Sequence, residues 1–285
     1  MDQVTKQLAA EDAPAPEDDA RPRTFKLTLA YDGTGFHGWQ VQPGLATIQG
    51  ELQAALGRVT RESPLPQGSG RTDTGVHALA QVASFQLAAP IPPENLLRAL
   101  NRTLPPAIRV MDSQVVPASF HARHSAVSKC YEYRVFRGEV CPPWVYPYVY
   151  SYSKRLDFDT LVVAAEVFLG EHDFTSFTAA DPDLTTREDS SAEGNDSTAT
   201  NIRTVLCSAW ERRESDAGEL WIYRVRGNGF LHHMVRNLVG SMIDAGRGFT
   251  TVDRLKEILE ARSRSEAGPT APASGLFLTS VEYRE

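Results

Sequence analysis

The densest chemistry in the chain is one ten-residue run, Gly68-Ser69-Gly70-Arg71-Thr72-Asp73-Thr74-Gly75-Val76-His77. Three glycines around an Arg-x-Asp describe either an ordinary turn or a tight loop after a strand that presents a side chain instead of burying it. A carboxylate presented this way can act as a nucleophile or a base, and an arginine two residues away can hold a phosphate or tune its charge. His77 fits a structural, hydrogen-bonded role better than a catalytic one.

Two further runs could take part. In Gly227-Asn228-Gly229-Phe230-Leu231-His232-His233-Met234-Val235-Arg236-Asn237, an apolar stripe starts at Leu231 and continues through Met234, Val235, Leu238, Val239, Met242 and Ile243 at helical spacing. Arg236 falls roughly 115° from the centre of that stripe. It either reaches into a cleft toward a carboxylate or points to solvent, and Gly240 one turn on leaves it uncrowded. His232 and His233 invite a metal reading, but no further ligand follows at the right spacing, so no metal site is expected. In Lys129-Cys130-Tyr131-Glu132-Tyr133-Arg134, two tyrosines share one strand face between cations. That pattern suits base stacking with phosphate contact, and equally suits plain cross-strand packing.

Elements must hold these residues in place. Hydrophobic periodicity predicts strands at 25–31, 66–70, 81–86 and 108–116, with helices at 47–59 and 94–103 between them. The second half gives strands at 130–136, 204–211, 220–226 and 276–283, and helices at 157–169, 232–245 and 252–261. The expected fold class is α/β (α+β): two tandem ferredoxin-like β-α-β-β-α-β halves, with a sheet in each and a central cleft. The expected domains are 23–118, with the glycine-rich loop, and 119–285.

The chain has 285 residues, 41% apolar and 23% charged, which is ordinary globular composition. Its longest apolar stretch, 161–169, is interrupted by Glu166 and too short to span a bilayer. The first twenty residues do not form a secretory signal. Three cysteines without a C-x-x-C pair exclude a zinc ribbon and argue against a disulfide scaffold. A cytoplasmic protein with no membrane partner is expected. The net charge is −7, yet residues 1–20 and 179–200 each hold six acids against one base. Removing both leaves a mildly basic remainder, which permits a phosphate-rich partner. Segments 1–22 and 179–200 are expected to be disordered.

Six motifs carry a resemblance: YDGTGFHGWQ, GRTDTGVHALAQVASF, FHARHSAVSKCYEYRV, FLGEHDFTSF, GNGFLHHMVRNLVGSMIDAG and APASGLFLTSVEY. In this order, from Phe25 to Tyr283, the chain resembles the bacterial tRNA pseudouridine synthase A family. The resemblance implies isomerisation of uridine to pseudouridine at positions 38, 39 and 40 of the tRNA anticodon stem-loop. It also implies a homodimer, no cofactor and a pseudouridine synthase fold. It places the catalytic aspartate on Asp73, its neighbouring arginine on Arg71 and the stacking tyrosine on Tyr131. The arginine that pairs with the aspartate falls on Arg236, and an apolar wall under the base on Leu276. The chain departs from the family in its acidic tail and at 179–200, where the family commonly has a short connection. Two rivals remain on residue types alone. A glycoside hydrolase needs a second carboxylate about 5–9.5 Å from the first, with Asp32 and Asp173 as candidates. A non-catalytic RNA-binding protein needs only the cations and aromatics.

Overall fold

The computed structural model describes residues 22–179, 200–215 and 218–284. The acidic segments at 1–22 and 179–200 therefore lie outside the described residues, apart from Pro22, Ala179 and Thr200.

The first half runs β1 (Arg23–Tyr31), α1 (Ile48–Thr60), β2 (Gln67–Gly68), β3 (His77–Leu87), α2 (Pro93–Thr103) and β4 (Ile108–Val116). β1 buries Phe25, Leu27, Leu29 and Tyr31 at period two. Ile48, Leu52, Ala55 and Leu56 of α1, with Leu96 and Leu100 of α2, complete that core. The predicted cap at Thr47 holds, its hydroxyl accepting from Gly50 N at 3.3 Å.

The second half runs β5 (Ala126–Arg137), β6 (Tyr150–Ser151), α3 (Phe158–Glu166), β7 (Gly170–Asp173), β8 (Ile202–Ser215) and β9 (Gly218–Gly227). It ends with α4 (Met234–Gly246), α5 (Val252–Ala261) and β10 (Leu276–Tyr283). β6 and β7 are too short for a periodic pattern to reveal.

The strands follow the order β4-β1-β3-β10-β5-β9-β8-β7, with β2 on β3 and β6 on β5. Each half repeats one spatial order, its fourth strand beside its first, then its third and second, as two ferredoxin-like units should. The expectation of a separate sheet in each half is corrected: there is one ten-stranded sheet. β10, antiparallel to β5, also pairs in parallel with the start of β3, Phe277 opposite His77 and Leu278 opposite Ala78. Because β2 is only two residues long, the beginning of β3 is left to accept this strand.

Two loops are pressed together next to that junction. Trp39 N donates to Thr72 O at 2.9 Å, and the Tyr31 and Thr72 hydroxyls lie 2.8 Å apart. Gly38, at φ +82°, permits the approach, since a Cβ there would stand 2.6 Å from Thr72 O. His77 anchors the far side of the loop. Its Nδ1 accepts from Gly33 N at 3.1 Å, which leaves Nε2 to donate to Pro147 O at 3.1 Å, and its ring stacks on Phe277. The Nδ1 bond needs the neutral ring, since a protonated Nδ1 cannot accept from Gly33 N. Burial pushes the His77 pKa below the ordinary histidine value, outweighing the Asp32 carboxylate beside it.

Gly38→Ala is expected to lose at least about 1–2 kcal/mol in denaturant unfolding from the left-handed backbone alone. Gly35→Ala, where a Cβ meets nothing within 4 Å, is the matched control. Equal losses in the two would contradict the interlock. For His77 the unfolded chain takes up its proton first. Stability should therefore fall as pH drops below about 6.5, toward the lower folded value. His77→Asn, which still accepts from Gly33 N but never charges, should flatten that fall in melting temperature. An unchanged slope would remove His77 as its source.

Candidate active site

Asp73 sits at the tip of the glycine-rich loop, where Val76 N closes a turn onto Asp73 O at 3.1 Å. The loop's entry is fixed by buried polar groups. Ser69 Oγ meets Gln81 Oε1 at 2.6 Å, and Gln81 Nε2 donates to Gly70 O at 2.9 Å. The Asp73 carboxylate is partly buried, and Arg236 Nη1 donates to its Oδ2 at 2.9 Å. The two residues are 163 positions apart in sequence. A charge-assisted bond of this kind contributes more than a neutral one and holds both groups in a fixed geometry.

Arg236 is held from behind as well. Its Nε donates to Ala271 O at 2.8 Å, while Ala271 N donates to Arg236 O at 3.1 Å. The Tyr133 hydroxyl donates to Pro272 O at 2.7 Å and pins the same segment. Gly240 plays a different part from the one its spacing suggests. A Cβ there would fall 1.7 Å from Pro269 O, so its bareness lets the 269–272 segment lie against α4 and reach Arg236.

The remaining expected residues divide. Tyr131 is buried, with its ring edge-on to Phe230 at 5.1 Å. Burial pushes its hydroxyl pKa above the ordinary tyrosine value, and Tyr31 and Asp73 add to the shift, which puts Tyr131 within electrostatic reach of Asp73. Leu276 is buried at the start of β10, opposite Tyr133 and therefore on the same sheet face as Tyr131. Arg71 is exposed on the loop. Arg134, which flanks the tyrosines in sequence, is engaged by Glu132 at 3.4 Å, and Arg224 shares that carboxylate. Lys129 instead runs beneath the loop and donates from Nζ to Ser69 O. Burial, then Arg123 and Arg203, bring its pKa down to about 8.

Sequence spacing missed His232 and His233 as neighbours of Asp73. The helix predicted from 232 begins at Met234, because His233 takes φ +60° at the N-cap. His233 Nε2 lies 3.4 Å from Asp73 Oδ2, and His232 Nε2 lies 3.7 Å from Oδ1. The His233 pKa is lowered by burial, against the pull of Asp73. No sequence signal betrays a left-handed histidine or a carboxylate arriving from another loop. With Asp73 the two histidines form a group able to hold a metal ion. The candidate second carboxylates are engaged elsewhere: Asp32 with Thr34 and Tyr148, Asp173 with Thr175 and Arg262. No helix among the described residues is long and apolar enough to cross a membrane.

The chain matches the family described as tRNA pseudouridine synthase over residues 28–125 and 164–284. It is 50% identical over 261 residues to the tRNA pseudouridine synthase A of Solibacter usitatus, covering 92% of this chain and 100% of that protein. Identity to the protein of the same name from Lacticaseibacillus casei is 41%, covering 91% and 99%. For that of Methylacidiphilum infernorum it is 40%, covering 91% and 95%. The matched spans include both the loop that carries Asp73 and the helix that carries Arg236, and the chain belongs to the tRNA pseudouridine synthase family, an isomerase.

Proposed function

We propose that this protein isomerises uridine to pseudouridine at positions 38, 39 and 40 of the tRNA anticodon stem-loop, in the cytoplasm, as a homodimer and without a cofactor. The observation that carries the reading is the Asp73–Arg236 pair at 2.9 Å. It joins a carboxylate on a presented loop to a cation, with His232 and His233 on the same carboxylate.

The chemistry needs little more. The C1′–N1 bond breaks, the uracil turns, and C1′ bonds to C5; C5 loses a proton and N1 gains one. Nothing is oxidised and nothing is hydrolysed. The target base must first leave its stack, at a cost of a few kcal/mol. Arg71, exposed beside the loop, fills the vacated space and holds the backbone. Asp73 attacks the sugar or takes a proton from it, and Arg236 holds the carboxylate in place. Tyr131 and Leu276 form the wall that retains the detached base while it rotates. Residues 23–118 supply the loop, and 119–285 the arginine and the wall. Arg123 and Arg203, close enough to Lys129 to lower its pKa, place positive charge beside the loop for a phosphate backbone. The connection between β5 and β6 exposes Val140, Trp144 and Tyr146, apolar surface of the kind that subunit interfaces cover.

Tritium release from 5-tritiated uridine in tRNA transcripts tests the activity, and transcripts with a single uridine at 38, 39 or 40 test the positions. Asp73→Asn is expected to lose roughly 10³-fold or more in rate while still binding tRNA. Substantial turnover in this variant would remove Asp73 from its role. Arg236→Lys should keep part of the activity and Arg236→Ala lose most of it, with tRNA affinity nearly unchanged. A large affinity loss with the bound-complex rate preserved would make Arg236 a phosphate contact instead. Sedimentation at decreasing concentration tests the dimer.

A further inference from the structure

Isomerisation uses one carboxylate and one cation, yet two imidazoles also converge on Asp73. In an extended chain, neighbouring side chains point to opposite sides. His232 and His233 do not: their rings lie 3.9 Å apart at 33°, and both Nε2 atoms face the Asp73 carboxylate. The left-handed backbone of His233, φ +60°, produces this arrangement, and such a conformation is disfavoured for a residue with a Cβ.

The separations are informative. At 3.4 and 3.7 Å, the Nε2-to-carboxylate distances are longer than ordinary hydrogen bonds. Zinc bonds of about 2.0–2.1 Å place ligand atoms about 3.3–3.4 Å apart across a tetrahedron. The three ligand atoms all lie within 4.8 Å of one another, and all three residues are partly exposed, so an ion can enter and keep a water in the fourth position. Two imidazole nitrogens and a carboxylate oxygen are the donor set of an open zinc site. Arg236, 2.9 Å from Oδ2, opposes a cation and holds the affinity below that of a resident zinc.

We propose that Asp73, His232 and His233 form a reversible binding site for a divalent transition-metal ion of the zinc class, and that an ion held there blocks the isomerase. Its inhibitory consequence rests on Asp73 being the catalytic group; the binding does not.

The test uses the full-length protein, stripped with chelator, and Zn²⁺ or Co²⁺ as the probe. A chromophoric chelator competes for Zn²⁺, and the absorption spectrum reports Co²⁺ coordination. The protein is expected to take one ion per chain at micromolar affinity and to give the spectrum of a four- or five-coordinate cobalt. Asparagine tolerates a left-handed backbone, so His232→Asn/His233→Asn is the variant of choice, with its melting temperature as the folding control. Losing an outer-shell partner alone costs 10–100-fold, so removing two ligands should weaken binding about 100-fold or more. Asp73→Asn should weaken it too, and bound tRNA should exclude the ion. Absence of a site in the parent protein overturns the proposal. So does binding that survives in the double variant and disappears on alkylating Cys130, Cys141 and Cys207, or binding indifferent to tRNA. Zinc should also slow tritium release in step with its measured occupancy; full occupancy with unchanged turnover overturns the blocking role. Inactivity on tRNA in zinc-free buffer would count against the proposed function and leave the binding result standing.

Discussion

The parallel pairing of β3 with β10 is the constraint from which the site follows. In parallel strands, the segments that lead into each strand emerge at the same edge of the sheet. Asp73 lies four residues before His77, the first residue of β3; Ala271 lies six residues before Phe277, which pairs with His77. The loop with the carboxylate and the segment that grips Arg236 are therefore delivered side by side. The Asp73–Arg236 bond closes a gap that the sheet has already narrowed. Had β10 paired only with β5, each half would carry its share of the site, and contacts such as His77 to Pro147 O and Lys129 to Ser69 O would be left to hold the two together.

The supports around the pair are arranged so that neither partner has to find the other. Asp73 is held by a turn whose neighbours bond to the Gly33–Trp39 loop and to Gln81. Arg236 is held by its own helix, by Ala271 and, through Pro272, by the Tyr133 hydroxyl. Tyr133 lies on the strand that carries Tyr131, so the surface beside the carboxylate and the grip on the arginine share one frame. An ion pair assembled from two mobile side chains would lose much of its energy to ordering entropy. Here most of that ordering is done by the fold.

The sequence carried the fold where the controlling interactions are local. Period-two burial marks β1, Thr47 caps α1 as its type predicts, and the 252–261 helix and 276–283 strand fall on their predicted bounds. It failed where the deciding contact is remote. Only two residue pairs lie in register between β3 and β10, and nothing in either strand announces the other, so two sheets were a natural expectation where one exists. The site divides the same way. Asp73 and Arg236 stand out by type and motif, whereas the two histidines come to them through one backbone angle at residue 233, which composition and spacing do not encode.

The charges around the site show why residue type alone misleads. Arg134 and Lys129 flank the same tyrosines, yet Glu132 engages Arg134 while Lys129 turns under the glycine-rich loop. On a strand, alternate residues face opposite sides, so Glu132 and Arg134 share the face away from Tyr131 and Tyr133. Lys129 has the parity of the tyrosines and goes with them toward the loop. Strand parity thus decides whether a cation is spent on a partly buried ion pair or placed beneath the carboxylate's loop. Cations that look equivalent in the sequence are sorted by strand parity, Arg134 to Glu132 and Lys129 to Ser69 O.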